Sequence, residues 1–246
     1  MTDPYYSDDQ VELYLGDCRD VVPALGLAAD LVLTDPPYGE TTYKWDQWVP
    51  EWPSLAASIA TSMWSFGSMR VFTEHWTEFR DWTFSQDVVW EKHNGSSGKR
   101  DRFNRVHENA VFFYRGRWAE TYHVPPTTAD AVKRTVHQGS KAVHHQGRWG
   151  AGSYTSERGG PRIMRSVIFM RSMHGRGIHG TEKPTGLLEP LLTYACPLGG
   201  LVVDLFGGSG STLEACKRTG RRGIAIEGDE AIAERAARRL AQGLLT

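Results

Sequence analysis

Cysteine and long apolar runs are both scarce in this chain of 246 residues. The three cysteines, Cys18, Cys196 and Cys216, are scattered and odd in number, which is the spacing of neither a disulfide framework nor a zinc site. We interpret them as thiols of the core or of helices. No apolar run approaches the length that spans a bilayer, and the amino terminus does not resemble a signal peptide. The sequence therefore predicts a cytoplasmic protein with no membrane partner.

Acidic residues are scarce in the middle of the chain. Residues 92–180 hold 16 Lys and Arg against 5 Asp and Glu, whereas residues 1–91 hold 4 against 16 and residues 181–246 hold 8 against 8. The formal net charge of −1 conceals this segregation. A basic segment in an otherwise acidic chain indicates contact with a polyanion such as DNA, although a solvated basic loop region has the same composition.

The basic block contains two segments without a regular hydrophobic pattern. Residues 117–165 are rich in Gly, Arg, His and single aromatics, which predicts an irregular module that binds nucleic acid. The glycine-rich stretch 93–105 is predicted to be a mobile loop near the substrate. His144 and His145 do not predict a metal site, because adjacent side chains point apart on a regular backbone and no cysteine lies near them. The basic residues that we expect to contact DNA are Lys92, Lys99, Arg100, Arg102, Arg105, Lys133, Arg134, Lys141, Arg148 and Arg158.

Apolar segments at strand or helix spacing flank this block on both sides. Strands are predicted at residues 11–15, 29–34, 69–72, 87–90, 110–114, 167–170, 201–206 and 223–227. Helices are predicted at residues 52–64, 75–82, 184–196, 211–218 and 231–240. Strands that alternate with helices predict an α/β fold whose sheet has helices on both faces.

An acid, two prolines and an aromatic residue follow the predicted strand 29–34. Ligands of open α/β sheets bind outside the carboxyl ends of the strands. Pro36 and Pro37 fix the backbone, so the loop holds the carboxylate of Asp35 and the ring of Tyr38 in place. Such an acid accepts a hydrogen bond from an amino group while the ring stacks beside it, which suits a nucleobase. The alternative is a strand that ends in a proline turn with a surface tyrosine.

A glycine-rich turn follows the predicted strand 201–206. Residues 207–210 read Gly-Gly-Ser-Gly, a sequence that lets backbone amides approach a ligand closely. The next strand ends at Glu227, 23 positions after Asp204, near the spacing at which an acid reaches ribose hydroxyls. The turn lacks the Lys-Ser/Thr pair of a P-loop, so a nucleoside without phosphates fits better than ATP. A tight turn without a ligand is the alternative.

Three motifs together resemble a known family. Asp-Pro-Pro-Tyr at 35–38, Thr-Glu-Lys-Pro at 181–184 and Asp-Leu-Phe-Gly-Gly-Ser-Gly-Ser at 204–211 resemble the S-adenosylmethionine-dependent amino-methyltransferases of DNA. The order of catalytic loop, basic region and cofactor loop is similar to the β class. That class implies a circularly permuted, Rossmann-like methyltransferase fold: a mostly parallel mixed sheet with helices on both faces and an inserted basic module.

The resemblance extends over nearly the whole chain. Trp-Glu-Lys at 90–92 and His-Glu-Asn at 107–109 match strand ends that flank the mobile loop of the family, whereas residues 117–165 match nothing specific. The implied organisation is a catalytic half at 1–116, a target-recognition module at 117–165 and a cofactor-binding half at 166–246.

The family implies S-adenosylmethionine as the cofactor and assigns residues to its parts. The methionine part is held by the turn residues Phe206, Gly208, Ser209 and Gly210, with Asp204 beneath it. Glu227 would bind the ribose hydroxyls, Asp17 would lie near the adenine amino group, and Thr181 and Lys183 would lie by the methionine carboxylate. The alternative for Asp17 is an acid that caps a turn, and for Lys183 a solvated lysine at a helix start.

The implied reaction is methylation of an exocyclic amine. The target base must first be extruded from the stack. Asp35 and the carbonyl of Pro36 would accept the two amine hydrogens, so that the nitrogen lone pair points at the sulfonium methyl group, and Tyr38 would stack on the flipped base. No covalent enzyme intermediate and no metal are needed, and the chain has no Pro-Cys motif like that of carbon-5 cytosine methyltransferases.

The motif favours adenine as the target base. Asp-Pro-Pro-Tyr is commoner among N6-adenine enzymes of the family and Ser-Pro-Pro-Tyr among N4-cytosine enzymes, so we predict a site-specific N6-adenine methyltransferase of double-stranded DNA, with N4-cytosine as the alternative. Methyltransferases of RNA or of protein glutamine normally place the glycine loop first, and a non-catalytic DNA-binding subunit is expected to lose Asp35 or the glycine loop. A homodimer and a cognate restriction endonuclease are candidate partners by resemblance alone.

Overall fold

A computed structural model describes residues 3–95, 101–138, 152–173 and 182–242. The chain divides into two compact units, one formed by Met1–Val124 with Ser166–Thr246 and the other by Pro125–Arg165. Among the described residues, no helix combines the length and the apolar character that crossing a membrane requires.

The first unit opens with alternating strands and helices. Asp17 caps the first helix by accepting a hydrogen bond from the amide of Arg19 at 2.9 Å. In chain order the elements are β1 (Tyr6–Ser7), β2 (Val11–Leu15), α1 (Cys18–Leu25), β3 (Leu31–Thr34), α2 (Trp52–Ile59), β4 (Ser62–Gly67), α3 (Met69–His75), a 3-10 turn (Trp76–Phe79), β5 (Thr83–Glu91), β6 (His107–Tyr114) and a second 3-10 turn (Trp118–Glu120).

The second unit consists of short antiparallel strand pairs. Its strands are β7 (Thr127–Thr128), β8 (Arg134–Gln138), β9 (Gly152–Ser156) and β10 (Arg162–Ile163). Strand β8 pairs with β9, and β7 pairs with β10. The segment 117–165, predicted to be irregular, therefore contains regular strands. Its first residues, up to 124, belong to the other unit.

The first unit is completed by a run of strands and helices at the carboxyl-terminal end. These are β11 (Val167–Phe169), α4 (Thr185–Ala195), β12 (Leu201–Asp204), α5 (Ser211–Thr219), β13 (Arg222–Glu227) and α6 (Glu230–Ala241). Each of the three helices follows a boundary signal: Pro184 precedes α4, Gly210 precedes α5, and the carboxylate of Asp229 caps α6 by accepting from the amide of Ile232.

The described residues form one nine-stranded sheet in the order β1-β2-β13-β12-β3-β4-β6-β5-β11. The five strands from β2 to β4 in this order are parallel, as is the pair of β5 and β11, whereas β1 and β6 run antiparallel to their neighbours. The predicted mostly parallel mixed sheet is confirmed.

Helices cover both faces of this sheet. Side chains alternate between the faces along a strand. On β4, Met63 packs in the buried cluster that contains Trp52 and Ala56 of α2. The next residue, Trp64, points the other way, and its indole donates to the carbonyl of Leu191 in α4 at 3.1 Å. The strands between the two helical layers are consequently mostly apolar, as is typical of parallel sheets.

Three predicted elements are wrong. The helix predicted at 75–82 is only a 3-10 turn at Trp76–Phe79, because α3 ends at His75 and β5 begins at Thr83. Residues 69–72, predicted to be a strand, belong to helix α3, because the hydroxyl of Ser68 accepts from the amide of Val71 and caps a helix there. The helix predicted at 52–64 ends at Ile59, and Ser62 begins strand β4. The prediction also missed α1. Short apolar runs fit strand and helix alike, so local capping and sheet pairing decide between them.

Candidate active site

Strand β3 delivers Asp35 to the carboxyl edge of the parallel strands. Its neighbours in the sheet are β12 and β4, and β12 leads into the glycine turn. Because parallel strands end at the same edge, the loop at 35–38 and the turn at 207–210 come together although some 170 residues separate them in the chain. This edge of the sheet therefore brings together the two motifs that the sequence predicted to bind ligands.

The backbone after Tyr38 is held by the buried carboxylate of Asp46. It accepts hydrogen bonds from the amides of Tyr38 at 2.7 Å, Gly39 at 2.9 Å and Thr41 at 2.6 Å. Burial by itself would raise the pKa of Asp46, but these donors outweigh burial and hold the pKa below its ordinary value. The ionised Asp46 thus fixes the loop that carries the aromatic ring.

Both oxygens of Asp35 have partners inside the protein. Its Oδ1 accepts from the hydroxyl of Tyr38 at 2.6 Å, and its Oδ2 accepts from the ammonium of Lys183. Burial raises the pKa of Asp35, while Lys183 opposes that rise. The Glu108 carboxylate, whose Oε2 lies 3.3 Å from the Lys183 nitrogen, raises the pKa of Asp35 further. The Asp35 carboxylate is therefore fixed in orientation by Tyr38 and Lys183, and its ionisation depends on Lys183 and Glu108.

The glycine turn has a backbone that only glycine adopts easily. Gly208 and Gly210 have φ angles of 52° and 76°, in the left-handed region. A side chain at Gly207 would place its Cβ 3.0 Å from the Cβ of Ala225 and 3.3 Å from the carbonyl oxygen of Ile226. The turn can therefore lie close against β13, and its exposed side faces the cleft.

Asp204 lies buried at the start of this turn. Its carboxylate accepts from the hydroxyls of Thr34 at 2.9 Å and Thr212 at 2.6 Å and from the amide of Phe206 at 3.1 Å. Burial raises the pKa of Asp204 to about 7 in spite of these donors. The side chain thus ties β3, the turn and α5 together.

Glu227 and Asp17 lie at the ends of neighbouring strands. The Glu227 carboxylate accepts from the amides of Gly208 and Asp229, each at 2.8 Å, and burial raises its pKa. The Asp17 carboxylate pairs with Arg19, which lowers the pKa of Asp17. Both acids also line the cleft, so they can accept hydrogen bonds from a ligand there.

These side chains line one cleft with a volume of about 1310 Å³. Typical small-molecule sites measure roughly 300–1,000 Å³, so the cleft has room for two ligands side by side. The candidate residues that line it are Asp17, Asp35, Pro36, Pro37, Tyr38, Lys183, Asp204, Phe206, Gly208, Ser209 and Glu227. Gly210 lies behind the turn near Ala236 of α6, and Thr181 lies outside the described residues.

The basic residues predicted to contact DNA have diverse surroundings. Lys92 points inward to Glu108, and Arg105 pairs with Glu40 at 2.6 Å at the cleft. Arg102, also at the cleft, pairs with Asp101. In the second unit Lys133, Arg134 and Arg158 are exposed. Outside the described residues lie Lys99, Arg100, Lys141, Arg148, His144 and His145. The described residues contain no group of acids, histidines and cysteines that could hold a metal ion.

Sequence reasoning missed several residues of the cleft, among them Asp46 and Glu108. Asp46 follows the Gly- and Thr-containing stretch 39–42, where an acid that binds backbone amides is common in loops, and this signal could have found it. Glu108 had no such signal, since its partners Lys92 and Lys183 are distant in the chain and only the pairing of β5 with β6 brings Lys92 to it.

A mostly parallel α/β sheet with a glycine turn and an acid–proline loop at one edge defines an enzyme of the nucleotide-binding type. The chain matches the N6_N4_Mtase family, described as DNA methylase, over residues 29–238. Because this match covers most of its length, the chain belongs to that family. The resemblance to DNA amino-methyltransferases is thereby confirmed, whereas the circular permutation stays a prediction.

Individual proteins of known type are similar over most of their length. The Type II methyltransferase M1.MboII of Moraxella bovis is 22% identical over 223 residues, which cover 81% of this chain and 84% of that protein. The crystal structure of an M1.HpyAVI-SAM complex has a TM-score of 0.66 at 20% identity and covers 94% of this chain and 98% of that one. PvuII DNA methyltransferase, described as cytosine-N4-specific, has a TM-score of 0.65 at 15% identity, with 100% and 91% covered. At these identities the two structures show a shared fold.

Proposed function

We propose that this chain transfers the methyl group of S-adenosylmethionine to the N6 amino group of a flipped adenine in double-stranded DNA. One observation carries the proposal: the Asp35 loop and the glycine turn with Glu227 line the same cleft, which has room for a cofactor and a base together. Membership in the DNA methylase family agrees with it.

The residues of the cleft fit the cofactor by their chemistry. The acids Glu227 and Asp17 would accept hydrogen bonds from the ribose hydroxyls and the adenine amino group. The amides and the close-packed backbone of the turn from Phe206 to Gly210 would hold the methionine part, with Asp204 fixing the turn from below. When bound, S-adenosylmethionine supplies an electrophilic methyl group on a sulfonium centre.

Asp35 binds and orients the exocyclic amine of the target base. An exocyclic amine is a poor nucleophile because its lone pair is delocalised into the ring. If Asp35 and the Pro36 carbonyl accept its two hydrogens, the nitrogen becomes pyramidal and its lone pair points out of the ring plane. Asp35 must then bind the amine in addition to the Tyr38 hydroxyl, for which a carboxylate has free lone pairs. The Tyr38 ring stacks on the flipped base.

N4-cytosine is the second candidate target. Cytosine presents a similar amino group to the same acid, so the geometry of Asp35 does not discriminate between the bases. Adenine is favoured by the Asp-Pro-Pro-Tyr form of the loop. The second unit is proposed as the target-recognition module because its basic side chains Lys133, Arg134 and Arg158 are exposed. A homodimer and a cognate endonuclease stay predictions.

Nucleoside mass spectrometry tests the proposal. Unmethylated DNA is incubated with S-adenosylmethionine and the wild-type chain, Asp35→Asn or Asp87→Asn, and then digested. We expect N6-methyladenine from the wild type and from Asp87→Asn, whose side chain is exposed. Asp35→Asn keeps the shape of the side chain but loses the charge that accepts the amine hydrogen, so its rate should be about 10³-fold lower.

Two other results of this experiment would refute the choice of base or the function as a whole. N4-methylcytosine would refute the choice of base and retain the mechanism. No methylated nucleoside on several DNA sources would refute the function. Thermal unfolding of Asp35→Asn near the wild-type temperature shows that any loss of rate is not a loss of folding.

A further inference from the structure

Four side chains of alternating charge form a series of ion pairs that begins at Asp35. They come from four separate segments: the loop after β3, the segment before α4, the start of β6 and the end of β5. In order of contact they are Asp35, Lys183, Glu108 and Lys92. Their formal charges sum to zero, and they lie along the wall of the cleft.

Lys183 is the central cation of this series. Its ammonium donates to Oδ2 of Asp35 and lies 3.3 Å from Oε2 of Glu108. Two aromatic rings also lie near it, with the ring centroids of Phe66 and Tyr38 at 5.1 Å and 5.9 Å. Because the side chain is buried, its charge depends on the two carboxylates, which raise the pKa of Lys183 in spite of burial.

Glu108 connects Lys183 to the outer lysine. Its Oε1 accepts from the ammonium of Lys92, whereas its buried Oε2 has no hydrogen bond within the described part of the chain and lies 3.3 Å from the Lys183 nitrogen. Lys92 in turn lies over the Trp90 ring, 4.5 Å from its centroid. Burial would raise the pKa of Glu108, and the two lysines instead hold it below its ordinary value.

We propose that Glu108 and Lys92 are positioning residues of the methyl transfer, which act through Lys183 to hold the Asp35 carboxylate in orientation and to set how readily it accepts the amine hydrogen. The proposal rests on the function proposed above. Glu108 is a second anionic partner of the Lys183 ammonium, so the charge of Lys183 is shared between Glu108 and Asp35. Lys92 compensates the charge of Glu108 and keeps it fixed.

Removal of the charge of Glu108 and removal of the charge of Lys92 should shift the pKa of Asp35 in opposite directions. Loss of the Glu108 charge removes a carboxylate that raises the pKa of Asp35 and leaves Lys183 with Asp35 as its partner in this series, so the pKa of Asp35 should fall. Loss of the Lys92 charge removes a cation, so the pKa of Asp35 should rise. The charged and titratable groups that face Asp35 or Glu108 are Lys183, Tyr38, Asp204, Lys92 and Arg105.

Titration of Asp35 in the ligand-free protein tests this link without any reaction. The side-chain carboxyl carbons of aspartate are labelled with ¹³C, and Asp35 is assigned by its absence in Asp35→Asn. We expect its titration midpoint to move down in Glu108→Gln and up in Lys92→Met. Glu91→Gln is the matched control, since this exposed glutamate precedes Lys92 and makes the same change of charge. Glu108→Asp keeps the negative charge, so its Asp35 midpoint should lie between that of Glu108→Gln and that of wild type.

Kinetics test the positioning role. Glu108→Gln should lower kcat about tenfold and move the acidic limb of the pH–rate profile down, with KM for DNA and the cofactor dissociation constant within about twofold of wild type. Lys92→Met should move that limb up. A merely structural loss would not move the two variants in opposite directions, and thermal unfolding identifies a variant that has not folded.

Two results would overturn the inference: an Asp35 midpoint that is the same in Glu108→Gln, Lys92→Met and wild type, or a pH–rate profile of Glu108→Gln that coincides with that of Glu91→Gln. A wild-type chain that methylates no base would instead refute the proposed function, and the positioning role with it. The two failures are distinguishable because the titration shift is measured without DNA or cofactor.

Discussion

Asp204 shows what one buried carboxyl group contributes to the cleft. Its three hydrogen bonds join Thr34 of β3, the amide of Phe206 in the glycine turn and Thr212 of α5. Three donors satisfy the oxygens, yet no cation is among them, so burial dominates and the pKa rises to about 7. The geometry of the turn is therefore linked to the protonation of one acid.

This link predicts how stability changes with pH. The folded pKa of about 7 lies above the ordinary value of 3.8, so between these values the unfolded chain has lost a proton that the folded chain keeps. The contribution of Asp204 to the free energy of unfolding must then fall as pH rises from about 4 to about 7, by about 1.4 kcal/mol for each unit of separation, and level off above.

Asp204→Asn should remove this fall, because asparagine does not ionise. We expect the free energy of unfolding of the variant, measured in urea at pH 5, 6, 7 and 8, to rise relative to wild type from pH 5 to about pH 7 and to change little more at pH 8. Asp87→Asn, an exposed change of the same kind, should track the wild type. Parallel curves for Asp204→Asn and wild type would show that Asp204 titrates normally in the folded protein.

The residues with local signals were the predictable ones. Asp35, Tyr38 and Glu227 were predicted from short motifs at strand ends, and the structure brings them into one cleft, although their roles stay predictions. The partner of Lys183 could not be predicted, because Asp35 is 148 positions away and only the completed sheet brings the two together. Lys92 carries the charge expected of a DNA contact, but in the fold its ammonium forms an ion pair with Glu108.

At the scale of elements, the loop from Tyr38 to Asp46 is a single hydrogen-bonded unit. One carboxylate holds three backbone amides, with Oδ1 accepting from Tyr38 and Gly39 and Oδ2 from Thr41. A hydrogen bond to a charged group contributes about 1.5–3 kcal/mol, so the loop conformation depends strongly on Asp46. The loop in turn determines where the Tyr38 ring lies.

Two substitutions of Asp46 should lower activity to different degrees. Asp46→Asn can still accept through its single oxygen but turns an NH₂ group toward Thr41, so it should lower kcat/KM for DNA methylation about tenfold. Asp46→Ala removes all three acceptors and should lower it about 100-fold. The shift of the unfolding temperature on adding S-adenosylmethionine should be unchanged in both, because the proposed function assigns this loop to the target base and not to the cofactor. Equal loss in the two variants, or loss of the cofactor shift, would contradict this role.

The sequence predicted best the elements with a clear hydrophobic period. The helix predicted at 231–240 is Glu230–Ala241, and the strand predicted at 11–15 is Val11–Leu15. Residues 69–72 were assigned to the wrong type because a stretch of four residues, three of them apolar, is too short to show a period, and the cap at Ser68 decided the outcome. In the basic segment, pairing between β8 and β9 creates strands that are polar and exposed, which hydrophobic patterns do not reveal.

At the scale of the whole molecule, charge is divided between the parts of the chain. The second unit, residues 125–165, holds seven Lys and Arg against two Asp and Glu. Its ion pairs are weak where they exist, since Lys133 lies 3.9 Å from Glu157 and both side chains are about three-quarters exposed. These cations therefore remain available to phosphate groups, in contrast to the buried Lys183.

The salt dependence of DNA binding tests this division. Each phosphate contact contributes about 0.9 to the slope of the logarithm of affinity against the logarithm of salt concentration. If Lys133, Arg134 and Arg158 each contact a phosphate, replacing all three by Gln should lower the slope by about 2 to 3 and weaken binding at 50 mM salt more than at 200 mM, with cofactor binding unchanged. Replacement of the exposed Arg222, Arg235 and Arg238 of the first unit removes the same charge and is the matched control. If that triple variant lowered the slope equally, net charge alone would set the affinity, and the second unit would not be the surface that holds DNA.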